Sequence, residues 1–390
     1  MMLATIARAA DMLTDYRWKM WFWGDGIGLE GLLDATDLTG NQKYLGYVHG
    51  LFKGWISRIE YRSKFDHTAA GVALVRCHQR TGDPALLEAA RDFADYLQTF
   101  RRSKNGCPIH YDDAHLELPP ELPVDHPQYS ERAEQRRKSM ATENAGACVF
   151  VDSVHFQGPF LASLYAVTKE ERYLEQCLQT IVPQIQLLWD PAHQLFHHFW
   201  IEAIEQRNGI LWGRGNGWGL LGLVETLQHI PPHRAEFIQL KDLLNQQVKR
   251  LAELQDKSGD WYTVLDRPDS YLESSVAAFI IAGFTLAVSR GWIDKSYLAV
   301  AEKAWRAMWR HVRESGLVDG VSFETFPSRR AEHYCNMPRG GVVPWGQGPF
   351  LVACSRFLQL RPTRRAQVIV NPNAVKIMGT GLGTPAATLG

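Results

Sequence analysis

Thr39-Gly40-Asn41-Gln42-Lys43-Tyr44-Leu45 and Thr81-Gly82-Asp83-Pro84-Ala85-Leu86-Leu87 are two copies of one phrase. Each ends a helix on a glycine, which takes the left-handed backbone a helix stop needs. Each then offers Asn or Asp as the acceptor that starts the next helix. Looser copies stand at Thr168-Lys169-Glu170-Glu171-Arg172-Tyr173-Leu174 and Trp292-Ile293-Asp294-Lys295-Ser296-Tyr297-Leu298. The phrase therefore predicts helical hairpins joined by short polar turns. A single hairpin cannot bury its apolar face, so such units must stack. They can stack as an open solenoid or close into a toroid, and the irregular spacing of the copies favours the toroid.

The flanking sequence agrees. Leu86, Ala90, Phe93 and Leu97 fall on one helical face, as do Leu174, Cys177, Leu178 and Ile181, and Tyr297, Ala301, Ala304, Trp305 and Met308. Period-two alternation is scarce and predicts no long strand. Two stretches break the pattern. Residues 103–147 carry Pro119, Pro120, Pro123 and Pro127 and then a basic cluster, Arg136-Arg137-Lys138, which reads as an inserted loop. Residues 361–390 have neither an acid nor an aromatic residue and read as a poorly ordered tail, leaving residues 1–360 as a single domain.

Composition narrows the function. Lys and Arg number 42 and Asp and Glu 42, so the chain lacks the basic excess of a nucleic-acid binder or a polybasic membrane-surface protein. The longest apolar run, Val276 to Val288, is shorter than the ~20 residues that span a bilayer. No signal peptide is read at the start. The six cysteines show neither C-x-x-C nor zinc-ligand spacing and read as reduced thiols, so a cytoplasmic location is expected. The 13 Trp are more than ordinary usage supplies, and flat apolar rings suit both a large core and the stacking of sugars.

Candidate chemistry concentrates in a few blocks. Trp212-Gly213-Arg214-Gly215-Asn216-Gly217-Trp218 puts a guanidinium, an amide and indoles among glycines that weaken a helix. That set suits an anionic sugar: Arg214 for a carboxylate, Asn216 for a hydroxyl, Trp218 for the ring face. The alternative is a capped helix junction. Asp152 lies between Val149-Phe150-Val151 and Val154, and an acid in apolar surroundings holds its proton, as a general acid at neutral pH must. The same Asp could cap the helix that follows. His197 and His198 sit in an aromatic run without metal-binding spacing. Asp266 to Ser275 reads as a turn and helix cap whose Glu273 could line a cavity.

Together these blocks resemble glycoside hydrolase family 105, the unsaturated rhamnogalacturonyl hydrolases, and more distantly the unsaturated glucuronyl hydrolases of family 88. The resemblance runs from about Trp23 to Phe357 and includes Trp23-Gly24-Asp25-Gly26, Pro159-Phe160-Leu161-Ala162, Pro268-Asp269-Ser270-Tyr271-Leu272-Glu273 and Trp345-Gly346-Gln347-Gly348-Pro349-Phe350-Leu351. It implies an all-α (α/α)6 barrel. It also implies removal of a terminal Δ4,5-unsaturated uronic acid from lyase-generated oligosaccharides by hydration of the C4=C5 vinyl ether. On that pattern Asp152 is the acid/base, with His198 and Asp66 as further catalytic residues. Arg214, Trp218, Asn216, Trp23 and His155 would contact substrate, His155 on the leaving-group side. The reaction implied calls for no metal and no organic cofactor. Oligomeric state is left open. A sugar 2-epimerase or isomerase using His67, His110 and His333 on the same toroid is the alternative enzyme, and a non-catalytic helical-repeat binder the alternative without chemistry.

Overall fold

Gly40 adopts φ +70° and its N–H bonds the Thr36 carbonyl, ending the helix Asp25–Thr39 (α2) as the turn phrase requires. Gly82 does the same after Gly71–Thr81 (α4), with φ +71°. Asp83 then accepts from the Ala85 N–H and, with Pro84 at the first position, opens Pro84–Leu97 (α5). In the third copy a lysine, Lys169, takes the left-handed position at φ 61°. The computed structural model describes residues 2–58, 69–109, 147–325 and 327–360.

The remaining helices are Met2–Thr14 (α1), Lys43–Ile56 (α3), Asp152–Thr168 (α6), Glu171–Leu188 (α7), Gly213–Leu227 (α8), Ala235–Glu253 (α9), Ser274–Ser289 (α10), Leu298–Arg310 (α11), the short Ala331–Cys335 (α12) and Pro344–Leu360 (α13). They divide by burial. Every residue of α8 is buried, and nearly every residue of α10. By contrast α9 buries only Phe237, Leu240, Leu244, Gln247, Val248 and Leu251, a single stripe. A helix buried all round must be enclosed; a striped one lies on the outside.

Packing turns this division into a ring. Among the described residues, α2 packs on α4, α4 on α6, α6 on α8, α8 on α10, α10 on α13, and α13 returns to α2. Outside them α1, α3, α5, α7, α9 and α11 each pack against inner helices. This is the all-α (α/α)6 toroid that the turn phrases favoured over a solenoid. Because alternate helices of successive hairpins run the same way, the six inner helices are parallel. The short turns, such as 40–42 and 82–83, leave their C-terminal ends. The long connections, 15–24, 189–212, 254–273 and 311–343 among them, all arrive at their N-terminal ends. One face of the ring is therefore plain and the other carries the loops where function concentrates.

The seam between α2 and α13 is a close approach. A Cβ on Gly348 would stand 2.3 Å from the Ile27 carbonyl oxygen, and one on Gly31 would stand 2.8 Å from Gly348 Cα. Backbone does not yield cheaply here. We expect Gly348→Ala to lose about 1–3 kcal/mol of stability, measured as a lower urea midpoint; an unchanged midpoint would mean the seam can open without cost.

Strands are two or three residues long. Cys148–Phe150 (β1) pairs antiparallel with Phe199–Ile201 (β4), which pairs with Gln206–Arg207 (β5); Trp189–Asp190 (β2) pairs with Leu195–Phe196 (β3). They are too short for periodicity to announce, but they place the site.

Candidate active site

The β1/β4 register sets Phe150 opposite Phe199, and the Val151 N–H donates to the His198 carbonyl over 2.9 Å. The next residues along, Asp152 and His198, are thereby brought side by side, with His198 Nε2 3.9 Å from Asp152 Oδ2. Asp152 is the first residue of α6, and Val151, not Asp152, is the cap. Its carboxyl is buried, with Oδ2 accepting no hydrogen bond among the described residues. Burial pushes it up to about 7, against the pull of its own backbone N–H and the charges of Arg214 and His155. A carboxyl tuned there can both give and take a proton near neutral pH.

His198 is the counterpart. Burial, reinforced by the Arg214 charge, holds it well below the usual imidazole range, so it is neutral. Its Nδ1 meets Tyr334 Oη at 2.6 Å. Asn208 donates to that phenol oxygen over 3.2 Å, and the phenol lies in donating geometry to the Ser328 carbonyl at 3.3 Å. Tyr334 thereby fixes the ring, leaving Nε2 facing Asp152. The Trp212 ring backs His198 at 4.4 Å between centroids and carries the Arg214 guanidinium at 4.7 Å. Tyr334, Asn208 and Trp212 were not among the expected site residues; nothing in the local sequence of the first two distinguishes them, since only the fold brings residues 208 and 334 onto 198.

Arg214 stands near Asp152 as expected, but its bonds are committed. Fully buried, it pairs with Glu273 at 3.2 Å and donates to the Ser322 and Phe323 carbonyls and to Thr325 Oγ1. Glu273, the cap of α10, also accepts from Val276 N–H, Ser322 N–H and Ser275 Oγ. Arg214 thus ties the 322–325 segment to two inner helices. Ser322 O accepts in addition from Trp345 Nε1 at 2.9 Å, and Trp345 lies 4.7 Å from Trp23, which keeps part of its surface exposed.

Three expected contacts do not match their placement. Asn216 spends its amide on the Phe196 N–H, the Phe196 carbonyl and the Trp212 carbonyl, so it fastens β3 to α8, and it is fully buried away from any sugar hydroxyl. Trp218 is fully buried, its ring covered by His155, Phe156 and Phe279. His155 points into the ring of helices, where its Nε2 lies 3.2 Å from Glu225 and 3.8 Å from Glu30, and not toward a leaving group. The glycines of the block serve packing as well. A Cβ at Gly217 would meet Phe279 at 2.7 Å, and one at Gly215 would meet Trp212 at 2.6 Å. Asp66 lies outside the described residues, as do His67, His110 and the greater part of the 103–147 insertion.

Glu30, His155 and Glu225 are the one group among the described residues with donor types suited to a metal ion. Both acids already face guanidiniums: Glu30 that of Arg76, at 3.7 Å, and Glu225 that of Arg356. The trio thus stands within a larger ionic network. None of the six cysteines, all described, forms a disulfide, and no helix of the described residues is long and apolar enough to cross a membrane.

The chain is similar to known proteins over nearly its whole length. It is 30% identical over 351 residues to the unsaturated rhamnogalacturonyl hydrolase YesR of Bacillus subtilis, covering 87% of this chain and 90% of that one. A shorter likeness, 29% over 220 residues, covering 53% of this chain and 56% of that one, joins it to an unsaturated 3S-rhamnoglycuronyl hydrolase of Formosa agariphila. Among solved structures it matches a possible member of the GH105 family from Salmonella enterica with a TM-score of 0.75 at 23% identity, covering 91% of this chain and 93% of that one. It also matches the unsaturated glucuronyl hydrolase of Bacillus sp. GL1 with a TM-score of 0.67 at 16% identity, covering 92% and 95%. The sequence model of Glycosyl Hydrolase Family 88 aligns with residues 4–360, and the chain belongs to that family.

Proposed function

We propose that this chain removes a terminal Δ4,5-unsaturated uronic acid from lyase-generated oligosaccharides, with Asp152 as the proton donor and acceptor. The observation that carries the assignment is the buried Asp152 carboxyl, raised to about 7 and set beside a neutral His198 at the loop-bearing end of the ring. The protonated carboxyl gives its proton to C4 of the vinyl ether. The cation that develops at C5 takes a water molecule, whose proton returns to the Asp152 carboxylate. The hemiketal at C5 opens, the anomeric bond breaks, and the saturated sugar leaves with a keto acid. One carboxyl serves both transfers in turn, so no second carboxylate at a fixed separation is needed. His198 stands beside the carboxyl as a neutral neighbour through both steps, and Trp23 supplies a stacking face for the sugar.

The names of the relatives in Bacillus subtilis and Formosa agariphila support a rhamnose-linked substrate, of the kind left when rhamnogalacturonan in pectin is cut by a lyase. The span of the family alignment supports reading residues 1–360 as one catalytic domain. Six cysteines without a disulfide support a reducing, cytoplasmic setting.

The test is direct. Lyase-generated unsaturated rhamnogalacturonan disaccharide, added to the protein, should lose the ultraviolet absorbance of its conjugated alkene. Its saturated counterpart should release nothing. Cleavage of the saturated sugar at a comparable rate would mean attack at the anomeric carbon and would overturn the hydration mechanism.

A further inference from the structure

Beneath the site, the ring of inner helices encloses charge. Glu30 and Asp34 come from α2, Arg76 from α4, His155 from α6, Glu225 from α8 and Arg356 from α13. Arg76 contacts Asp34 closely and stands 3.7 Å from Glu30; Arg356 contacts Glu225 closely. Glu30 and His155 are almost wholly inaccessible. Both oxygens of Glu30 and Oε2 of Glu225 find no well-aligned donor among the described residues.

Charge counting shows what is missing. Three acids face two guanidiniums, so ionising all three would leave one negative charge uncompensated in the interior, a costly arrangement that burial of Glu30 already resists. His155 is the remaining base. Its Nε2 lies within reach of both Glu225 and Glu30, at 3.2 and 3.8 Å, and the indole of Trp218 lies 5.1 Å from its ring, an arrangement that favours a cation. A proton on His155 brings the network to neutrality. The facing acids draw His155 up against its burial and Glu225 is held down to about 2, while burial pushes Glu30 up to about 7, so the proton of the network lies between His155 and Glu30, with Glu225 at 3.2 Å drawing it to the histidine.

His155 follows Asp152 by three residues on α6, one turn further in, so the two side chains are neighbours. The geometry points to His155 as a positioning residue held permanently as an imidazolium, whose fixed charge sets how tightly the carboxyl one turn above it holds its proton. This rests on the reading of Asp152 as the acid. A buried imidazolium so placed favours the Asp152 carboxylate and keeps the carboxyl from being held protonated too firmly to release its proton. It also explains why a histidine occupies a wholly interior position where it touches no substrate.

The proton is read by labelling histidine ring nitrogens with 15N and recording their spectra. In the intact protein His155 should remain doubly protonated at about pH 8, and Glu225→Gln should bring its titration down into the accessible range. A neutral His155 at that pH would overturn the proposal, and so would a stoichiometric divalent metal retained through purification. This result does not depend on what Asp152 does. The consequence for catalysis is read in His155→Gln. The acid must be protonated to act, so activity falls as pH rises through its titration, and removing a nearby positive charge raises that titration. The alkaline limb of kcat/KM should move up by about half a pH unit or more. A lower kcat with the limb unmoved would mean that His155 only packs. If His155→Gln does not fold, the spectra of the intact protein and of Glu225→Gln still decide.

Discussion

Asp152→Asn should lower kcat on unsaturated substrate by about 10²–10⁴-fold, the range a positioned proton donor contributes, with little change in KM. The amide keeps the shape of the carboxyl but can neither give nor receive the proton. The same substitution should stabilise the protein, and the sign follows from linkage. The folded carboxyl holds its proton up to about 7, whereas its ordinary value is 3.8. Its contribution to stability is fully present below the ordinary value. It is lost as pH rises, because the folded chain keeps a proton the unfolded chain has released, and the loss is complete above the folded value. Asn does not titrate, so the variant should melt higher than the parent at alkaline pH, by on the order of a few kcal/mol, and the gain should vanish in acid. Equal melting at both extremes would mean that Asp152 is not raised. A full rate from the variant would remove it as the acid.

The second large effect concerns Arg214. An arginine that binds only the sugar carboxylate would, when lost, raise KM and leave the melting curve alone. The structure gives it a different burden: removal would strand Glu273, buried and charged, and release the Ser322–Thr325 segment that also holds Trp345. Arg214→Ala should therefore lose about 3–5 kcal/mol of stability, as breaking one side of a buried pair does, seen as a fall in Tm before any kinetic change is measured. Replacing both partners, Arg214→Met with Glu273→Gln, should recover part of that loss. The Gln keeps an acceptor for the Val276 N–H while removing the stranded charge. A single variant with unchanged Tm and raised KM would return Arg214 to the substrate.

The helical hairpins were legible because their signals are local. A glycine with positive φ and an Asp or Pro at a helix start act within a few residues, and their sequence is their mechanism. The stripe on α9 and the uniformly apolar run of α10 likewise separate outer from inner helices by composition. The Asp152 environment was legible for the same reason, since its apolar neighbours precede and follow it directly. The block at residues 212–218 was misread in part. Glycines that admit a ligand and glycines that admit a neighbouring helix look alike in sequence. Here Gly217 admits Phe279, which closes the space around Trp218. The pairing of β1 with β4, which delivers His198 to Asp152, joins segments about fifty residues apart through very few ladder bonds and leaves no local pattern. Tyr334 is further still, 136 residues from the histidine it orients.

The closing of the ring bears on how the chain is made. Gln347 on the last helix donates to the Ala9 carbonyl on the first, across 338 residues, and the α2/α13 seam lies beside that bond. During synthesis the growing arc of hairpins therefore leaves the ribosome with its leading edge uncovered. That apolar edge stays open to other nascent chains until almost the whole polypeptide has emerged. Closure of the ring thus waits on α13, the piece that covers both open edges of the arc at once.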